Sequence, residues 1–331
     1  MVVEARPDDS AMTLPAGVNL MPDAPVSELV ELAVLAERLG LRRCWVYDEG
    51  LATRDVYVTL TAIALATSSI RIGPGITNPY VRHPGATAVA VATLDELSGG
   101  RAFVGLGAGG GLTLDPLGIA RRRPLAAVGE TVAALRGLFA GETVDMEGEM
   151  VSLRRAHLGY GRADIEIIMA GRGPKMTALG GAVADGFNLS YVHKELLGAH
   201  AEMLRTAAGD RPFVISYSTM VAATGADREE ARAALTFRLV DSPPEVKALI
   251  GMTDAEVESI RTALAAGGPR RAAELVRPEW IDYFVVTGSV ADAGAELRGL
   301  LTTNDIDEFQ LPLLETAGAA ELIERTAAMF S

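Results

Sequence analysis

Ile70-Arg-Ile-Gly-Pro-Gly-Ile-Thr-Asn-Pro-Tyr-Val-Arg-His-Pro84 runs from a short apolar strand into a bend rich in glycine and proline, with a helical pattern beginning just beyond. Gly73 and Gly75 open backbone angles closed to other residues, while Pro74, Pro79 and Pro84 fix φ and remove donors. In α/β proteins ligands collect at the carboxyl ends of the strands. The bend is therefore expected to build a ligand site.

Working outward, strands are expected at 17–20, 44–47, 70–72, 102–106, 165–169, 187–189 and 213–222, separated by helical patterns at 26–39, 56–67, 86–97, 175–184 and 195–208. Ser27 reads as the cap of the first helix and Gly40 as its stop. Such alternation implies parallel strands joined by right-handed crossovers. It loosens twice. Residues 112–160 hold a polar loop with Arg121, Arg122 and Arg123, a helix to about 140 and a hairpin at 143–153; residues 227–280 are mostly helical, broken by Pro243-Pro244 and Gly267-Gly268-Pro269. A strand at 284–286, a helix at 290–301, a strand at 308–311 and a final helix close the chain. The pattern fits an α/β fold, a (β/α)8 TIM barrel in one domain over 1–331, with those two insertion regions and a polar N-terminal extension over 1–14. One expected strand would lie outside the barrel or fuse with a neighbour. A doubly wound open sheet is the alternative, since alternation alone does not separate the two.

The chain has 331 residues, 49% hydrophobic and 22% charged, the proportions of a globular protein with one large core. A formal charge of −13 and a pI near 4.9 argue against a nucleic-acid partner, which needs a basic face. The longest uncharged stretch, 56–70, is too short and too rich in Thr and Ser to span a membrane. The first dozen residues carry Glu4, Asp8 and Asp9 where a signal peptide would be basic, so a cytoplasmic protein is expected. The lone cysteine, Cys44, sits in an apolar run and reads as a buried thiol.

Asp48 and Glu49 follow the second strand, at the end from which barrel enzymes project catalytic side chains, although adjacent acids also cap helices. Gly105-Leu-Gly-Ala-Gly-Gly110 has dinucleotide-binding spacing, but it follows the fourth strand and enters a long loop. Glycines that let a flat ring approach the backbone explain it better. Gly171-Arg-Gly-Pro-Lys175 lies between a strand and a helix, where amides and a helix N-terminus bind phosphate, with Arg172 or Lys175 adding charge. An ordinary βα turn has the same composition. His83, His157, His193 and His200 show no metal-ligand spacing, and no nucleophile elbow occurs.

Taken in order, Trp45-Val-Tyr-Asp-Glu49, Arg54-Asp-Val-Tyr57, the 73–84 segment, Leu94-Asp-Glu-Leu-Ser-Gly-Gly-Arg-Ala-Phe-Val-Gly-Leu-Gly107 and Gly171-Arg-Gly-Pro-Lys-Met176 resemble the bacterial luciferase-like family of flavin and deazaflavin oxidoreductases, in particular its methylenetetrahydromethanopterin reductases. The resemblance is dense over 17–111 and 165–188 and fades beyond. It implies a TIM barrel that binds coenzyme F420, or alternatively FMN, at the carboxyl ends of the strands, and a homodimer. It further implies a cis peptide at Gly75-Ile76 beneath the ring, with Asp48, Thr77, Gly107, Ala108 and Gly109 around it, and Gly171, Arg172, Gly173, Pro174, Lys175 and Met176 holding the phosphate.

One departure stands out. Many deazaflavin-dependent relatives place a histidine where Glu49 stands, and some a glutamate near Gly110. Glu49 and Asp48 are therefore the expected catalytic residues, Glu49 as a proton donor whose pKa burial would raise. The expected activity is hydride transfer between F420 and a small organic substrate held above the ring. An FMN-dependent monooxygenase on the same fold is the alternative; a cofactor-binding homologue without turnover is a third reading. Substrate recognition falls to the two insertion regions, and Arg121 to Arg123 either receive an anionic group or form a solvated patch.

Overall fold

The computed structural model describes residues 13–331. Of the polar extension expected over 1–14, residues 1–12 lie outside the described residues, and Leu14 already belongs to the first strand.

Eight parallel strands, β1 (Leu14–Leu20), β2 (Leu41–Val46), β3 (Arg71–Pro74), β4 (Phe103–Leu106), β5 (Glu166–Gly171), β6 (Gly186–Ser190), β7 (Val214–Ser218) and β8 (Glu308–Leu313), pair in the order β3-β2-β1-β8-β7-β6-β5-β4. Between β3 and β4 the amides of Ile72 and Thr77 donate to the Arg101 and Gly105 carbonyls at 3.0 Å each, and the Gly107 amide donates to Thr77 at 3.0 Å. These bonds close the barrel and exclude the open doubly wound sheet, which would leave two free edges.

The strand expected at 213–222 ends at Ser218. Val221–Ala222 turns away and pairs in parallel with Val286–Thr287 outside the barrel. The absence of Gly, Pro or charge from 213–222 hid this bend, which the Thr219 hydroxyl fixes by donating to the Phe284 carbonyl at 2.5 Å. Phe284 itself ends the helix Pro278–Phe284 rather than starting a strand. Ser27 does not cap the first helix, Val26–Arg38: Pro25 takes the N-cap position with no side-chain bond, and Ser27 sits inside the first turn. Gly40, at φ 80°, does stop it.

Alternation along the strands sorts side chains into two populations. Those facing out, such as Val18, Cys44, Ile72, Val104 and Ile167, join the surrounding helices in the main core. Those facing in form layers. Near the amino ends Arg43, 3% exposed, lies between Glu166 at 2.7 Å and Glu308 at 3.0 Å, with Arg71 also on Glu166 at 2.5 Å. The middle is filled by Trp45 and Phe103, edge to face with centroids 4.4 Å apart, and by Ile168. Toward the carboxyl ends comes a polar layer, in which Asn188 donates to Gln310 at 2.8 Å and Asn19 to the Gly75 carbonyl at 2.5 Å.

Two excursions leave this frame. After β4 come the helix Pro124–Phe139 and an antiparallel hairpin, Val144–Glu147 with Ser152–Ala156. After β7 come the helices Gly225–Val240, Pro244–Leu249, Asp254–Ala273 and Pro278–Phe284, two of them opened by the capping boxes Thr224/Asp227 and Thr253/Glu256. Gly268, at φ 73° before Pro269, kinks the third. This excursion has its own apolar cluster around Trp280, Leu235, Ile260 and Phe284.

Candidate active site

Two and three residues beyond β2, the adjacent acids Asp48 and Glu49 part company. Asp48 accepts from the Thr77 hydroxyl at 2.7 Å, so it faces the bend after β3. Burial pushes its carboxyl up, with the Thr77 bond and Arg82 opposing. Glu49 accepts instead from the Thr113 hydroxyl at 2.5 Å, in the short helix Gly111–Leu114 after β4. Burial raises Glu49 as well; the Thr113 bond opposes, Asp48 adds to the rise, and Arg238 opposes. Glu49 precedes the 3-10 turn Gly50–Ala52, but its side chain caps nothing.

Within the bend the Gly75-Ile76 peptide is cis. Gly73 and Gly75 are not there for left-handed angles, since neither has a positive φ. They are there for room: a Cβ on Gly75 would lie 2.6 Å from both Asn19 Oδ1 and Trp45 Cβ. Ile76 in turn needs Gly107, where a Cβ would lie 2.2 Å from Ile76 Cδ1. Ala108 packs against the core beside it, and Gly109, at φ 68°, accepts from Arg121 Nη1 at 3.0 Å through its carbonyl. At Gly110 a Cβ would meet nothing within 4 Å, so the backbone here borders open space.

β5 ends at Gly171, and Gly173 is the N-cap of the helix Pro174–Val183. Met176 folds back on Gly171, Pro174 and Lys175 are exposed, and Gly173 also borders open space. Arg172 turns inward and donates to the Arg238 carbonyl at 3.3 Å. The structure thus joins Asp48 to Thr77, Ile76 to Gly107, and Arg172 to the helix Gly225–Val240. The structure also brings here Asn19, Thr113 and Arg238, whose guanidinium lies over the Tyr191 ring, none of which sequence reasoning singled out. Asn19 left a signal, a lone amide inside an apolar strand; the others left none.

The remaining candidates take structural roles. His83 and His193 accept from the amides two residues on, at 3.1 Å and 3.2 Å, capping a helix and a 3-10 turn. Cys44 is fully buried, which pushes its thiol up to about 12. Arg123 pairs with Glu149, whereas Arg121 reaches the glycine loop.

The family model for luciferase-like monooxygenases matches residues 5–303. The chain belongs to this family. The 5,10-methylenetetrahydromethanopterin reductase of Methanolobus tindarius is 34% identical to this luciferase-like chain over 295 residues, covering 86% of the chain and 90% of the relative. An F420-dependent glucose-6-phosphate dehydrogenase from Nakamurella multipartita is 34% identical over 174 residues, 49% of this chain and 51% of its own. Among solved structures, the coenzyme F420 dependent tetrahydromethanopterin reductase from Methanopyrus kandleri superposes with a TM-score of 0.85 at 25% identity, over 96% of this chain and 100% of the other. The eight-stranded barrel of the luciferase-like family and both excursions fall within that overlap.

Proposed function

We propose that this chain is a coenzyme F420-dependent oxidoreductase that passes hydride between the deazaflavin and a small organic substrate at the barrel mouth. The observation that carries this reading is the 34% identity with a 5,10-methylenetetrahydromethanopterin reductase across 86% of the chain and 90% of the relative.

The residues fit a flat ring with a phosphate-bearing side chain. Gly107, Ala108 and Gly109 offer nearly bare backbone beside Gly75 and Ile76, and Gly110 borders open space. Asp48 and Thr77 brace the bend beneath the ring by their 2.7 Å bond. Gly171, Arg172, Gly173, Pro174, Lys175 and Met176 surround a helix N-terminus, whose free amides hold the phosphate. Bound there, the deazaflavin supplies the hydride chemistry. Glu49 holds the proton: its burial keeps the carboxyl protonated to a higher pH than an exposed one. The regions 112–160 and 227–280 recognise the substrate, since Thr113 and Arg238 come from them.

Titration of the purified protein with F420 and FMN side by side, followed by fluorescence, tests the reading. The expected result is a preference for F420 of at least about tenfold, or ~1.4 kcal/mol. Tighter FMN binding with oxygen consumption would overturn it in favour of a monooxygenase.

The same reading places a homodimer in the cytoplasm. The neighbouring helices Val56–Ala66 and Pro84–Ser98 expose Val58, Leu65, Val89 and Leu97, and the first of them carries no charge. An apolar face of this kind supports burial against a second copy.

A further inference from the structure

Several buried or half-buried arginines of this acidic chain meet carboxylates: Arg43, Arg162, Arg205 and Arg325 each pair with at least one. Three at the barrel mouth do not. Arg121 donates to the Gly109 carbonyl at 3.0 Å, Arg172 to the Arg238 carbonyl at 3.3 Å and Arg238 to the Ala234 carbonyl at 2.6 Å. Each thus has a backbone partner and keeps most of its five donors unspent. The Arg238 guanidinium lies over the Tyr191 ring, 3.6 Å from its centroid, and the buried Tyr191 hydroxyl has no hydrogen-bond partner.

Electrostatics agree with the geometry. Burial first, then Arg238 and Arg121, together push Arg172 down to about 10; only Asp241, an exposed residue, opposes. The cluster is short of negative charge in a protein whose net charge is −13. Such a local positive spot attracts an anion that the whole molecule would otherwise repel.

We propose that Arg238, Arg172 and Arg121, with the Tyr191 hydroxyl, form a receptor for an anionic group, a carboxylate or phosphate, carried by the substrate. The substrate is then an organic anion. This rests on the reading that the mouth holds the deazaflavin, whose own phosphate is assigned to the helix N-terminus at Gly173. Arg172 borders that loop, and two observations separate the other members of the receptor from it. Arg121 and Arg238 come from the two excursions, not from the loop. Arg238 also lies over Tyr191, the residue that follows β6, whereas the phosphate loop follows β5. A planar guanidinium held against an aromatic ring presents a fixed fork to a carboxylate or phosphate, which a lysine would not.

Calorimetric titration with inorganic phosphate and with citrate, each in the absence and presence of saturating F420, tests the receptor on the wild type, Arg238→Gln and Arg121→Gln. The expected result is anion binding that persists with F420 bound. Arg238→Gln should weaken it by about tenfold or more and Arg121→Gln by about threefold, while F420 affinity changes by less than about threefold. If F420 abolishes anion binding and Arg238→Gln weakens F420 equally, the arginines serve the cofactor and the proposal falls. It falls also if neither probe binds, or if Arg238→Gln and Arg121→Gln both leave binding unchanged. Arg121 is exposed, so its variant tests the receptor even if Arg238→Gln fails to fold. Failure of F420 to bind the wild type would sink the proposed cofactor, and anion binding to the apoprotein would then still decide the receptor by its dependence on Arg238.

Discussion

The hydroxyl of Thr113, in the excursion after β4, donates to the carboxylate of Glu49 at the end of β2 across 2.5 Å. One residue therefore fixes where the proposed proton donor points, and it stabilises the charged form against the burial that disfavours it.

Replacing Glu49 by Gln keeps the shape and removes the proton. The turnover number should fall by about 10²- to 10⁴-fold, the usual worth of a positioned acid, while F420 affinity stays within about threefold. Following F420 absorbance in single turnovers checks this; full turnover would remove Glu49 from the mechanism.

Thr113→Val removes a hydrogen bond to the carboxylate form, so the Glu49 pKa should rise further above its ordinary value. A donor must be protonated, and the alkaline limb of the pH–kcat profile should move to higher pH. An unmoved limb with a lowered kcat would mean that Thr113 only shapes the loop.

Asp48 and Glu49 are both pushed up by burial. The stability such groups contribute is present at low pH and is lost as pH rises through their folded-state values. Glu49→Gln should therefore melt above the wild type at pH 8, by about 1–3 °C, with the gap closing toward pH 5. Calorimetric scans across that range read it directly.

Arg43→Met would leave Glu166 and Glu308 facing each other inside the barrel without their shared cation. The expected loss is about 3–5 kcal/mol by denaturant unfolding. In the wild type, burial pushes Glu166 up but Arg43 and Arg71 pull it below its ordinary value. Its contribution is present above the unfolded-state value and lost as pH falls, so acid should destabilise the wild type more steeply than the variant.

Leu65→Lys with Val58→Glu places charge on the exposed apolar face of the helix Val56–Ala66. Sedimentation should shift from dimer to monomer, with F420 binding retained. A dimer that persists would move the interface elsewhere.

Much of the frame was legible because it is periodic. The alternation of apolar strands and helical patterns announced the βα units, and glycines crowded behind 70–84 announced a bend against which something packs. The reason assigned to those glycines was wrong: room beside Asn19 and Trp45, not left-handed angles, excludes a side chain at Gly75. The break after Ser218 was illegible because Val221–Ala222 is as apolar as the strand before it. Arg238 was illegible for another reason. It occupies one position on an amphipathic helix, and nothing local distinguishes an arginine facing solvent from one lying over Tyr191.

The two-residue ribbon of Val221–Ala222 and Val286–Thr287 brings the ends of the second excursion side by side, and the helices between them bury Trp280, Leu235 and Ile260 in a cluster distinct from the main core of the barrel. A segment with adjoining ends and its own interior is a transplantable cassette. Exchanging 223–285 between barrels of this family should carry substrate preference with it, Arg238 included, while the ion-paired base around Arg43 and the proposed cofactor floor at Gly75 stay with the recipient.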